Sequence, residues 1–165
     1  MFKKAIVIGC PGAGKSTFSR QLRDRTGLPL YYLDMINHKP DRTTVSREEF
    51  DRRLCGIMSS DKWIIDGNYN RTLEMRFEKC DAVFLLDFPT EVCLAGAAER
   101  IGKKREDMPW TENELDGEFK QWILDFPRDG LPKIYELISK YKDKKAIYIF
   151  RSREDIKDYF ENTFG

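Results

Sequence analysis

The sequence predicts an α/β fold in which helices cover both faces of a five-stranded parallel sheet, and three observations carry that prediction. Short apolar runs alternate with amphipathic stretches about five times along the 165 residues, the pattern of strands joined by helical crossovers. The apolar runs do not alternate with polar residues, as expected of strands buried on both faces. The first run ends in a glycine-rich turn that leads into an amphipathic stretch. At this length one domain, 1–165, is expected, with a core large enough to need no staples.

The elements follow in order. Ala5–Ile8 is a buried strand. Phe18 and Leu22, four apart among charges, mark a helix that Gly27 stops, with Pro29 just beyond. Leu30–Leu33 is a second strand ending at Asp34. Met35–Val45 is polar, contains Pro40 and reads as a loop, so residues 35–60 are expected to form a flap. Within them Ser46 and Glu49 have capping-box spacing ahead of a helix carrying Phe50, Leu54, Ile57 and Met58. Trp63–Ile65 is a third strand running into Asp66-Gly67-Asn68, and a short helix with Leu73, Phe77 and Cys80 follows. Ala82–Leu86, the most apolar strand, is expected at the centre of the sheet and ends at Asp87. Thr90 is placed to cap a helix reaching Ile101. Residues 103–118 break the pattern: Lys103-Lys104-Arg105 precede six acidic residues with no base among them, which suggests a solvated lid or one held by ion pairs. Helices around Trp122 and Leu137, a fifth strand at Ala146–Phe150 and a helix capped by Ser152 complete the chain.

Composition narrows the function classes. The 29 basic and 28 acidic residues leave a net charge of +1, without the basic excess of a dedicated nucleic-acid-binding domain. Ala82–Leu86 is far short of the ~20 apolar residues that span a membrane. The apolar start is cut by Gly9, Pro11 and Lys15, too early for a signal peptide. Cys10, Cys55, Cys80 and Cys93 are widely spaced, with neither a zinc pattern nor a disulfide framework, so a reducing cytoplasmic setting is expected.

Ligands of open parallel sheets gather beyond the carboxyl ends of the strands. Here those ends are Gly9, Asp34, Asp66, Asp87 and Arg151. The first is followed by G-x-x-x-x-G-K-[ST], spelled Gly9, Cys10, Pro11, Gly12, Ala13, Gly14, Lys15, Ser16 and continued by Thr17. Such a loop turns backbone N–H groups toward phosphate oxygens, and the helix start adds partial positive charge. Lys15 is the candidate bridge between β- and γ-phosphates, and Ser16 the candidate Mg²⁺ ligand. The fold expectation is therefore a P-loop NTPase three-layer sandwich with a mobile lid insertion, binding ATP and Mg²⁺. Cys10 contributes its backbone, or else a redox-sensitive thiol. With no Asn-Lys-x-Asp guanine-reading motif, a GTPase is disfavoured, and a motor ATPase would want more chain.

The chain resembles the adenylate kinase-like P-loop kinases. Over essentially its whole length it resembles more closely the bacterial DNA topology modulation (FlaR-type) proteins, through residues 9–17, 31–34, 63–69, 85–89, 126–128 and 149–155. The resemblance implies a lid between the fourth strand and the following helices, and an Asp66 that organises Mg²⁺-bound water. It implies an acceptor-gripping Arg71, although Asn68-Tyr69-Asn70 departs from the usual Phe-Pro by one extra residue. It further implies Arg100 at the lid base packing on the nucleotide base, Lys104 or Arg105 as a second lid cation, Arg128 on transferring phosphate and Arg151 near the base of ATP. Asp34 is either a base for a hydroxyl acceptor or a structural partner, and Asp87 is read as structural. His38 is read as a solvated loop side chain, and Trp110 as a packing residue or a partner for a bound base. The expectation is ATP-dependent phosphoryl transfer to a small-molecule acceptor, a nucleoside monophosphate being one candidate. A regulatory nucleotide-binding protein with weak or no transfer is the alternative.

Overall fold

The computed structural model describes residues Met1–Gly165. Five strands, β1 (Lys4–Gly9), β2 (Leu30–Tyr32), β3 (Trp63–Asp66), β4 (Ala82–Leu86) and β5 (Ala146–Phe150), form one sheet in the order β2-β3-β1-β4-β5. Every pairing is parallel, with Ala5 opposite Ile64 on one side and Ala82 on the other. The middle strand is thus β1, not β4. Both are buried from end to end beyond Lys4, so apolarity alone does not rank them. The strand order reverses between β1 and β3, which opens a crevice at their carboxyl ends.

The helices are α1 (Lys15–Thr26), α2 (Leu33–Asn37), α3 (Arg47–Met58), α4 (Asn70–Lys79), α5 (Thr90–Glu99), α6 (Gly117–Asp129), α7 (Leu131–Tyr141) and α8 (Arg153–Phe164). They cover both faces of the sheet. Phe18 of α1 packs at 5.2 Å from Phe84, 5.3 Å from Phe150 and 5.4 Å from Phe160 of α8. Phe77 of α4 meets Tyr141 of α7 at 5.8 Å. One cluster of 35 buried apolar residues includes side chains of all eight helices and of the strands β1, β3, β4 and β5; burying each large one contributes roughly 1.5–3 kcal/mol.

Local chemistry explains where elements begin. Gly27 ends α1 at φ 73 and donates to the Arg23 carbonyl. Ser46 accepts from the Glu49 amide, but the reciprocal half of the box is absent because Arg52 and Arg53 draw the Glu49 carboxylate outward. Ser152 and Asp155 form the complete box at α8. Pro89, not Thr90, occupies the cap of α5. Strand β2 ends earlier than the sequence suggests, so Asp34 lies in the first turn of α2. Residues 103–116 form turns closed at their base by a bond from the Gly102 amide to the Glu112 carbonyl, 2.6 Å.

Candidate active site

A cavity of about 620 Å³ opens at the carboxyl end of the sheet. It is bounded by the β1–α1 loop, α2, the β3–α4 loop, the 103–116 segment and one face of α6.

The loop after β1 supplies Pro11, Gly12, Lys15 and Ser16 to this cavity. Gly14 stands at the start of α1 with φ 94; no side chain caps the helix and no acidic residue occupies its first turn. Its free N–H groups and positive end are therefore left for an anion. The Lys15 ammonium donates to the carbonyls of Gly9 (3.1 Å) and Cys10 (3.3 Å). Ala13, Gly14 and Thr17 face a second cavity of about 500 Å³ on the α8 side, where Arg153 joins them.

The loop's shape depends on α5. A Cβ on Gly12 would collide with the Cys93 carbonyl, and a Cβ on Gly96 would collide with the Gly12 carbonyl. The helix backbone thus seats directly on the phosphate loop. Gly96→Ala should gain about 1 kcal/mol in helix propensity, yet the overpacking should displace Gly12 and weaken ATP binding about tenfold; calorimetric titration measures it. Cys10 and Cys93 are buried together in this contact. The neighbouring Cys93 thiol, reinforced by burial, pushes the Cys10 thiol well up, so it stays protonated and unreactive.

Asp66 closes β3 and is 7% exposed. Its Oδ2 accepts from the Ser19 hydroxyl at 2.9 Å. Burial, only partly offset by Lys15 and Ser19, pushes its carboxyl up to about 7. The folded state therefore holds this proton more tightly than the unfolded chain does, and stability falls as pH rises from about 4 through about 7. Urea midpoints of the ligand-free protein across that range should show the decline, and Asp66→Asn should flatten it.

Asn68 clamps the crevice shut behind the site: its Oδ1 accepts from the Gly9 amide (3.0 Å) and its Nδ2 donates to the Gly9 carbonyl (2.7 Å). Tyr69, held at φ 38, donates its hydroxyl to Asp34 Oδ1 at 2.6 Å. Behind this loop the fully buried Arg76 donates to the carbonyls of Gly67 (2.8 Å), Asn68 and Tyr69 (3.2 Å).

The structure brings Asp34, Asp66, Lys15, Ser16, Arg100 and Arg105 to one cavity. Arg100 lies 5.9 Å from the Phe119 ring with its buried Nε unpartnered. Arg105 has charge contacts with Asp107 (3.2 Å) and Glu112 (3.8 Å), but its buried Nη1 and Asp107 Oδ1 make no hydrogen bond. The uncapped helix start and these orphaned donors fit a polyphosphate, and Ser16 with Asp66 presents the oxygen donors a hard cation takes.

The structure does not bring Arg71, Arg128 or Arg151 there. Arg71 makes a bidentate pair with Asp51, 2.7 and 3.0 Å, in an adjoining cavity of about 300 Å³. Arg128 points away from the buried Ile123–Phe126 side of α6 and pairs with Asp129 and Asp125. Arg151 bonds to Tyr135, which donates to Asp87, a structural use of that aspartate. His38, expected in solvent, is half-buried in the cavity wall, 3.8 Å from Asp34 and edge-on to Trp110.

Sequence reasoning missed Asn68, Arg76 and Gly96. A glycine within the small-residue stretch Ala95–Ala98 and an arginine beside Phe77 on a buried helix face were the available signals.

Fold and loop together place a G-x-x-x-x-G-K-S phosphate-loop sequence at the crevice of a five-stranded parallel sheet. No family model matches the chain. Among curated proteins it is similar to the adenylate kinases of Thermotoga neapolitana, 26% identical over 98 residues covering 58% of this chain and 44% of that one. It is also similar to that of Caldicellulosiruptor saccharolyticus, 29% identical over 101 residues covering 59% and 46%. The match thus spans less than half the length of these relatives. Among solved structures, the shikimate kinase from Acinetobacter baumannii in complex with shikimate superposes with a TM-score of 0.64 at 15% identity, covering 98% of this chain and 90% of that one. The enzyme from Bacteroides thetaiotaomicron gives 0.59 at 16%, covering 98% and 96%. The likeness to the two shikimate kinase structures shows the shared fold.

Proposed function

We propose that the protein transfers the γ-phosphoryl group of ATP to a hydroxyl of a small-molecule acceptor. One observation carries the reading: the phosphate loop, the Asp66 carboxylate, two arginines with orphaned N–H groups and a second, positioned carboxylate, Asp34, all face one cavity. The loop amides and Lys15 hold the phosphates, with Lys15 exchanging its bonds to Gly9 and Cys10 for bonds to phosphate. Ser16 and Asp66 would hold Mg²⁺, which would supply charge neutralisation to the phosphates. Arg100 and Arg105 face the charge that spreads over the transferring group.

Asp34, oriented by Tyr69, takes the hydroxyl proton as the acceptor oxygen bonds to phosphorus and the bond to the β-phosphate oxygen breaks, releasing ADP. The rest is alignment.

The test is Mg²⁺-dependent transfer from γ-labelled ATP. Asp34→Asn should cut kcat by about 10²–10⁴-fold with nucleotide affinity retained. Near-wild-type transfer in that variant would indicate an acceptor that attacks through an already ionised phosphate, as a nucleoside monophosphate does.

A further inference from the structure

Resting on that kinase reading, we propose that the acceptor is a polyhydroxy compound of the sugar or amino-sugar class, neutral or cationic, with no anionic group. The cavity's charge carries the inference. Six carboxylates line it, Asp34, Asp66, Asp107, Glu112, Asp116 and Asp129, against the permanent cations Lys15, Arg100 and Arg105. Lys15 is committed to the phosphates of ATP, which bring further negative charge. Arg105 already faces Asp107 and Glu112.

Within the cavity itself no cation is left over for the acceptor: Lys15 and Arg100 are assigned to the nucleotide, and Arg105 faces two carboxylates. The adjoining small cavity holds Arg47 and Arg71, but Asp51 binds Arg71 through both oxygens and its carboxyl is held low by both arginines. Arg128 stands outside both cavities, paired with Asp129 and Asp125. A carboxylate or phosphate on the acceptor would meet the like charge of this lining at close range, against no uncommitted cation of the cavity, the arrangement by which a site rejects a ligand.

What the acceptor side does offer suits hydroxyls and ammonium groups. Asn37 and Asn70 present amides that both donate and accept. Trp110 presents an aromatic surface, fixed by the edge of His38 at 5.2 Å and by the Arg42 guanidinium at 5.3 Å. Such a face packs against a sugar ring or attracts a cation. Asp116, whose Oδ1 caps α6 at the Glu118 amide, lines the same cavity and adds negative charge that favours an ammonium.

The test measures transfer from γ-labelled MgATP by the full chain to glucose, myo-inositol and glucosamine, with AMP, shikimate and gluconate in parallel. ATP affinity is measured separately by calorimetry. The expected result is transfer to at least one of the first three, with kcat/KM about 100-fold or more above any of the anions. Preferred transfer to an anion would overturn this inference and leave the kinase reading standing. ATP binding without transfer to any of the six would overturn both. The double variant Glu112→Gln, Asp116→Asn supplies an independent reading, because it lifts negative charge without touching the loop. It should raise the efficiency with anionic acceptors relative to neutral ones by about tenfold, and an unchanged ratio would refute the charge argument.

Discussion

Lys15→Met should lower phosphoryl transfer by at least about 10²–10³-fold, the loss typical when one preorganised donor to a transferring group is removed. The fold should survive. In the ligand-free protein the Lys15 ammonium bonds only to two carbonyls of its own loop, and methionine matches lysine in helix propensity. The expected change in stability is below about 1 kcal/mol. Steady-state transfer, an ATP titration and a thermal melt on one preparation check all three statements. Transfer that persists at wild-type rate would mean that the phosphates lie elsewhere than the β1–α1 loop.

Arg76→Met should cost about 3–5 kcal/mol, the range for deleting a buried, hydrogen-bonded charge. That is a large share of the 5–15 kcal/mol total stability of an ordinary domain. At about 2–4 °C per kcal/mol for a chain of this size, a fall in Tm of about 10 °C is expected. The reason is local. Three successive carbonyls, at Gly67, Asn68 and Tyr69, converge on one guanidinium that is wholly buried. Without it the Gly67 and Asn68 carbonyls lose that donor, while that of Tyr69 keeps the Thr72 amide, and each unsatisfied buried group costs about 1–3 kcal/mol. The same carbonyls fix Tyr69 in its left-handed conformation and so its bond to Asp34. Whatever protein still folds should therefore also transfer poorly. Arg76→Lys should not rescue it, because an ammonium cannot reproduce the fork. Urea unfolding together with the transfer assay separates the two losses.

Some of this site was legible in the residues alone. The phosphate loop is nine consecutive residues, so its geometry is set by local glycine conformations and the helix that follows. Asp66 was legible because a strand end in a parallel sheet is where ligands gather. Asn68 was not: its side chain bonds Gly9, 59 residues away, and nothing local to the Asp-Gly-Asn turn indicates that partner. Arg71 and Arg128 illustrate the opposite failure. The family resemblance implied phosphate contacts for both, yet each has a carboxylate close by, Asp51 on α3 facing α4 and Asp129 one residue along, that takes up its charge.

The sequence by itself determined the sheet, its helical covering and the phosphate loop, because each follows from hydrophobic runs, glycine stops and a contiguous motif acting over a few residues. Tertiary structure decided the rest: that β1 is central, that α5 presses Gly96 onto Gly12, that Arg76 anchors the loop beneath Asp34, and that carboxylates outnumber cations around the cavity. Those properties depend on which distant side chains share a low-dielectric space, and only the folded packing sets those distances.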